Sequence, residues 1–219
     1  MAARDYGQYS GITRAMELVG ERWALLIVRD LLVGPRRYGE LAAGLPRIPS
    51  NILSARLKEL QAAGILRRAP RSRVIVYELT PYGRELEPVV LALGAWGFKA
   101  LGEPREAQVI TPDSMTMDLR TAFRPQVAEL LPATAYGARF GLAELLIRVD
   151  GPSLDVTRPQ TPDSWDGPVD LAFAAGPGIR RLIAGELAPK QAIATGVVEV
   201  LRGRGDLLQR FASTFHLAA

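Results

Sequence analysis

Apolar positions in the first third of the chain recur with a helical period and are cut into short runs by glycine and proline. "ITRAMELVG" places Ile12, Ala15, Met16 and Val19 on one face and predicts a helix stopping at Gly20, its C-cap. "ERWALLIVRDLLVG" is apolar almost all round, which predicts a buried central helix ending at Gly34-Pro35. "RRYGELAAGLP" predicts a third, short helix closed by Gly44 and Pro46. In "RIPSNILSARLKELQAAG", Leu53, Leu57 and Leu60 stand at i, i+4 and i+7, one stripe of a fourth helix. Ser50 is its expected N-cap and Gly64 its stop. The opposite side carries Asn51, Ala55, Lys58 and Ala62, with Ser54 at its edge.

After Gly64 the period shortens from that of a helix to that of a strand. "ILRRAP" and "VIVYEL" are strand-like runs separated by "RSR", a hairpin with arginines at its tip. Thr80-Pro81 then caps a new helix, with proline at the first helical position. Its stripe is Leu86, Val90, Leu93, Ala100 and either Trp96 or Gly97, and Pro88 should kink it. Residues 102–112 read as a linker between a first domain, 1–101, and a second, 113–219. The second opens with a helix, "DSMTMDLRTAF", capped by Asp113 or Ser114. Strand-like runs follow: "ATAYGARF", "AELLIRVDG", "SLDVTRP" and, after the polar loop "QTPDSWDG", "PVDLAFAA". Two short helices, "GPGIRRLIAGEL" and "APKQAIATG", then a strand "VVEVLRG" and a helix "GDLLQRFASTF" complete the chain. The fold class is α+β, with an antiparallel sheet expected in the second domain.

Charge sharpens the picture. Residues 1–100 carry 15 basic against 9 acidic side chains, while residues 101–219 carry 12 against 14. Between Gly34 and Arg73 stand nine basic side chains (Arg36, Arg37, Arg47, Arg56, Lys58, Arg67, Arg68, Arg71 and Arg73) and two acids, Glu40 and Glu59. A basic half joined to a mildly acidic one is the footprint of a polyanion-binding domain carrying something else. Short helix, turn, helix and basic hairpin make a winged helix-turn-helix. In that arrangement the leucine ladder clamps the fourth helix and turns Asn51, Ser54, Ala55 and Lys58 towards a major groove. Asn pairs with adenine, and Lys and Ser reach base edges or phosphate. Arg36 and Arg37, ahead of the third helix, and Arg71 and Arg73, on the wing, are placed to hold backbone phosphates, and Arg47 and Ser50 are counted with them as DNA-binding residues.

The stretch "AMELVGERWALLIVRDLLVGPRRYGELAAGLPRIPSNILSARLKELQAAGILRR" resembles the HxlR-type winged-helix regulators of bacteria. The resemblance covers about residues 10–97. It rests on the Gly20-to-Trp23 step, the "LLVGPRRYGEL" turn, "LSARLKELQAAG" and "YELTPYG" after the wing. It implies a dimeric transcription regulator with terminal helices forming the dimer seam; two recognition helices one turn of DNA apart then call for an inverted-repeat operator, with repression the expected outcome and activation left open. Many such proteins sense oxidants through a cysteine before the first helix. This chain has no cysteine, Tyr9 and Ser10 occupy that region, and a signal must enter elsewhere.

The order of elements over 113–216, with "LIAGELAPKQAIATGVVEVLRGRGDLLQRF", is similar to the sterol carrier protein domain. That resemblance implies an apolar tunnel for a hydrophobic small molecule. Its lining would be Phe140, Leu146, Phe173, Ile179, Leu182, Ile183, Phe211 and Phe215.

Other constellations carry little. His216 is the sole histidine and has no partner ligand in the sequence, so it reads as a surface side chain. Asp163, Asp166 and Asp170 lack the glycine and closing glutamate of a calcium loop. "GPGIRR" could hold an anion but reads better as a helix-entry turn. No catalytic set can be assembled, and neither an enzyme activity nor a cofactor is expected. "WALLIVRDLLV" is interrupted by Arg29 and Asp30, and "MAARDYGQYSG" lacks a signal-peptide layout, so no membrane partner and a cytoplasmic location are expected. The expected function is a DNA-binding regulator acting as a homodimer on double-stranded DNA, gated by an apolar small molecule. The alternative is a hydrophobic-ligand carrier whose winged helix makes protein contacts. The polar outer face disfavours it, because a protein-binding face would expose aromatics.

Overall fold

The computed structural model describes residues 5–103, 105, 108–161, 165 and 167–218. The first unit contains α1 (Gly11–Val19), α2 (Ala24–Val33), α3 (Tyr38–Gly44), α4 (Ser50–Ala62), β1 (Leu66–Arg71), β2 (Val74–Leu79), α5 (Pro81–Arg84) and the start of α6 (Glu87–Phe98). Ile27, Val28 and Leu31 of α2 are fully buried, with Leu41 of α3 and Leu53, Leu57 and Leu60 of α4 in the same core. The leucine ladder therefore does what its spacing predicts. It fixes which side of α4 is left for solvent.

Several boundaries differ from the periodicity. The segment before α2 is a turn, since Trp23 has φ 81°, a left-handed conformation that cannot continue a right-handed helix. The Arg22 guanidinium lies 5.1 Å from the Trp23 ring centre. In α1 the expected apolar face is largely open: Ile12 is 79% exposed and Met16 47%, while Thr13 and Val19 are buried. Ser50 is the first helical residue rather than the cap, because Pro49, held extended at φ −64° and ψ 141°, takes the cap position. The hairpin closes with two residues, Ser72 and Arg73, so Arg71 belongs to β1 opposite Val74 and not to the tip. Ser72 turns the chain with φ 55°.

Thr80 caps α5 as expected, its Oγ accepting from the Gly83 N–H at 3.1 Å and donating to the Gly64 carbonyl at 2.6 Å. The following helix breaks instead of kinking. Pro88 has no N–H for the Arg84 carbonyl four residues back, and α5 ends at that arginine. The chain divides into compact units between Val90 and Leu91, within α6, whereas the sequence places the change at 102–112.

The second unit contains α7 (Pro112–Ala122), α8 (Pro125–Ala128), β3 (Thr134–Phe140), β4 (Ala143–Asp150), β5 (Ser153–Thr157) and β6 (Leu171–Ala175). It continues with α9 (Ile179–Ile183), α10 (Pro189–Ala194), β7 (Val198–Gly203) and, after a single 3-10 turn, α11 (Leu208–Thr214). α7 is capped by Thr111, not Asp113 or Ser114: the Thr111 Oγ accepts from the Ser114 N–H at 3.2 Å and the Ser114 Oγ accepts from the Thr111 N–H at 3.1 Å. Pro112 at the first helical position moves the start one residue forward. Asp113 is instead buried in the first turn and paired with Arg158 at 2.6 Å.

The sheet order is β5-β4-β3-β6-β7. The expected antiparallel sheet is mixed, since β3 and β6 run parallel, with Tyr136 opposite Leu171 and Phe140 opposite Ala175. Thirteen residues separate Thr157 from Leu171, long enough for the crossover that parallel pairing demands. Within that connection residues 162–164 and 166, including Asp163 and Asp166, lie outside the described residues. Trp165 packs on the sheet face opposite the helices. A Cβ on Gly137 would stand 2.5 Å from the Trp165 ring, so only glycine admits it. Asp170 accepts from the Ala135 N–H at 2.8 Å, a structural use for the third aspartate of the loop. His216 is half-buried against Gly185, not a surface side chain, because its backbone N–H is tied to the Ala122 carbonyl at 2.8 Å.

Candidate nucleic-acid interface

The fourth helix is held at its N-terminal end and at its middle by side chains from elsewhere in the first unit. Tyr38, at the start of α3, donates its hydroxyl to the Ser50 carbonyl at 2.9 Å and lies 3.3 Å from the Ser54 Oγ. Arg56 reaches Glu21 at 2.7 Å and also pairs with Glu59. With Leu53, Leu57 and Leu60 in the core, the outward side is set: Ser50, Asn51 and Lys58 are exposed and Ser54 is half-buried beneath Tyr38. Arg47 is exposed just ahead of the helix.

The wing is joined to the α2–α3 connection. Arg36 and Tyr77 exchange backbone hydrogen bonds of 3.0 and 2.8 Å, making Arg36 a short third strand beside β2. Arg37 follows, its backbone N–H donating to the Glu40 carboxylate at 2.6 Å at the start of α3. The result is one basic cleft of about 550 Å³ lined by Arg37, Arg71 and Arg73 together with Glu40, Ser72 and Val76. Arg37 and Arg73 are exposed. Arg71 donates to Glu78 at 2.9 Å and Arg67 donates to it at 2.8 Å. Glu78 is only 7% exposed at its side chain, and these two guanidiniums, Arg71 first, hold its carboxyl below the usual carboxylate range. Glu78 thus occupies two arginines that the sequence counts towards the basic face.

Tyr38 and Glu78 escape the sequence reading for a common reason. Both act through partners far along the chain, and only the correct hairpin register places Glu78 opposite Arg67. A two-residue turn in "RSRV" was the available signal.

In the second unit Phe140, Phe173, Phe211 and Phe215 pack on one another. Ring centres lie 5.9 Å apart for Phe140–Phe173, 5.2 Å for Phe173–Phe211 and 4.7 Å for Phe211–Phe215. Tyr136 joins them, 5.4 Å from Phe211, and burial pushes its hydroxyl pKa up to about 12. Leu182 is buried in the same core. Leu146 is buried on the other face of the sheet, since it pairs with Gly137, beneath Trp165. Ile179 and Ile183 are buried in the core with Leu182 too, and they also line a pocket of about 220 Å³ beside α7. Seven of the eight residues therefore share one core, and Leu146 lies on the opposite face of the sheet. Among the described residues no helix is long and apolar enough to cross a membrane, and no cluster could hold a metal ion.

Residues 18–104 match the HxlR-like helix-turn-helix family. An uncharacterized HTH-type transcriptional regulator of Mycobacterium tuberculosis is 44% identical over 96 residues, which are 42% of this chain and 60% of that relative. The chain thus spans less than two thirds of that relative's length. The HTH-type transcriptional regulator YvaP of Bacillus subtilis is 38% identical over 86 residues, 38% of this chain and 80% of the relative. Among solved structures, the reduced form of the transcriptional regulator YodB from B. subtilis is 31% identical, covering 45% of this chain and 100% of that one, with a TM-score of 0.38. A match to that family over residues 18–104, together with 38% identity over four fifths of a relative's length, places this chain in the HxlR-like helix-turn-helix family.

Proposed function

We propose that the protein is a DNA-binding transcription regulator that works as a homodimer. The observation that carries this is the outer side of α4. Exposed Ser50, Asn51 and Lys58 stand on a helix clamped by three buried leucines, with Arg36, Arg37 and Arg47 before it and the Arg73 turn beside it. An α-helix presenting short polar side chains fits a major groove, and flanking arginines fix it through phosphates. Family membership, and relatives named as transcriptional regulators, support the same reading.

The dimer reading rests on two apolar surfaces. No residue of α6 is buried, although "EPVVLALGAWGF" is nearly all apolar, and Trp96 is 75% exposed. Ile12 and Met16 of α1 are also open. A second copy covering these helices would bury them and set two copies of α4 about 34–36 Å apart, one turn of DNA. The operator is then an inverted repeat, and occupying both halves would occlude a promoter and repress it.

For the second unit we propose an effector role: a small apolar molecule bound there changes operator affinity. The support is the resemblance of the sequence over 113–216 to sterol carrier domains and the absence of any cysteine for thiol sensing. Selection of bound sequences from a randomised duplex pool, followed by footprinting, tests the regulator reading. It predicts an enriched inverted repeat protected symmetrically. No enrichment over the starting pool overturns it.

A further inference from the structure

The 220 Å³ pocket of the second unit is built differently from the aromatic core. Its inner wall is Met115 of α7 with Ile179 and Ile183 of α9, and its outer wall is Phe98 at the end of α6 with Leu101 and Ile110 from the connection that follows. Val109, 62% exposed, stands at the mouth. The interior between sheet and helices is already filled by the phenylalanines, packed edge-to-face and tilted, whereas this space is open.

Volume limits the occupant. Drug-sized sites run to about 300–1,000 Å³, and an apolar cavity of about 150 Å³ takes a benzene. A sterol or long acyl chain is too large, while a substituted single ring or short chain fits. Polarity limits it further. The Ser114 hydroxyl is spent in the α7 cap, donating to the Thr111 carbonyl at 2.9 Å. Gln108 accepts the Arg105 N–H through its side-chain carbonyl at 2.8 Å, which leaves its amide N–H groups to serve as donors at the wall. Arg180 is held by both oxygens of Glu186, at 2.9 and 3.0 Å, so its charge is already matched. Asp118 stands exposed at the rim, where water screens any charge it carries.

We infer that this pocket is a binding site for a small neutral molecule, one substituted ring or short aliphatic chain carrying an acceptor oxygen. It names a site and a ligand class for the effector reading above and depends on that reading only for its regulatory consequence. The outer wall makes the coupling physical. Phe98 is the last residue of α6, the helix offered for the dimer seam, so filling the pocket restrains the end of that helix.

The test uses the full 219-residue chain and calorimetric titration with 4-ethylphenol, 1-hexanol, benzoate and benzylamine. The neutral pair should saturate one site per chain, and the charged pair should bind at least tenfold more weakly. Val109→Trp and Leu101→Trp, both at exposed positions, should each weaken 4-ethylphenol at least tenfold with an unchanged melting temperature. Equal binding by both variants, preference for a charged probe, or no saturation by any neutral probe overturns the site. Operator affinity is then measured with saturating 4-ethylphenol. A change of about 5- to 150-fold supports the effector role. Binding without any change keeps the pocket and overturns the effector role alone.

Discussion

At the scale of single residues, Glu78 decides how much of the basic charge faces outward. Its depressed carboxyl contributes stability that is present above the ordinary carboxylate pKa and lost as pH falls through the lower folded value. Acid titration of the wing, followed by amide exchange, should show β1 and β2 opening below the usual carboxylate range. Glu78→Gln should remove that dependence and lower the melting temperature. It should also release Arg67 and Arg71, steepening the salt dependence of DNA binding by about 0.9 for each new phosphate contact. An unchanged slope means the two arginines do not reach DNA. Tyr136 works in the opposite pH range. Its raised pKa means stability is intact below about pH 10, the ordinary tyrosine value, and declines as pH rises towards about 12. Asn51→Ala should relax base preference at one position per half-site by about 1–3 kcal/mol, while Arg73→Ala should weaken all sequences alike. Affinity measured on operators with single substitutions separates the two.

At the scale of elements, two close approaches carry testable weight. Gly137 lets the Trp165 ring lie flat on the middle of β3, and Gly137→Ala forces the ring away. A loss of about 1–3 kcal/mol in urea unfolding is expected from such overpacking, and no loss shows that the crossover yields freely. Helix α6 presents the reverse case, an element with too much apolar surface for what covers it. Replacing Leu93, 45% exposed, and Trp96 with aspartate should leave the far-UV spectrum intact. Sedimentation should then report a monomer where the parent chain is a dimer, and footprints should shrink to one half-site. A parent chain already monomeric at micromolar concentration removes the dimer proposal.

At the scale of the whole molecule, binding strength should follow counterion release from a limited set of cations. Of the nine basic side chains between Gly34 and Arg73, Arg56, Arg67 and Arg71 are engaged by Glu21, Glu59 and Glu78. Of the other six, taking Arg36, Arg37, Arg47, Lys58 and Arg73 but not Arg68 as the contacts of each protomer, a dimer should show a log–log salt slope of about −5 to −9. A slope near zero, measured by anisotropy between 50 and 200 mM salt (roughly the range over which phosphate contacts are released), overturns a phosphate-dominated interface.

Local periodicity alone was enough for the winged helix-turn-helix, because its elements are short, amphipathic and punctuated by glycine and proline. Leu53, Leu57 and Leu60 determine the hidden side of α4, and so the exposure of Asn51 and Lys58 follows from spacing without any knowledge of partners. The strands and helices of the second unit were legible in the same way, each from its own run. What lay beyond the sequence were relations between distant segments. Parallel pairing of β3 with β6 depends on where a thirteen-residue crossover returns, which no local pattern records. The engagement of Arg67 and Arg71 by Glu78 depends on hairpin register, and the burial of Leu146 under Trp165 on which sheet face the crossover covers. Apolar character marked Phe140, Ile179 and Leu146 equally, but only packing distinguishes a residue in a filled core from one beside an open pocket. Sequence sets which side chains avoid water; the tertiary fold decides which of them meet one another and where space is left.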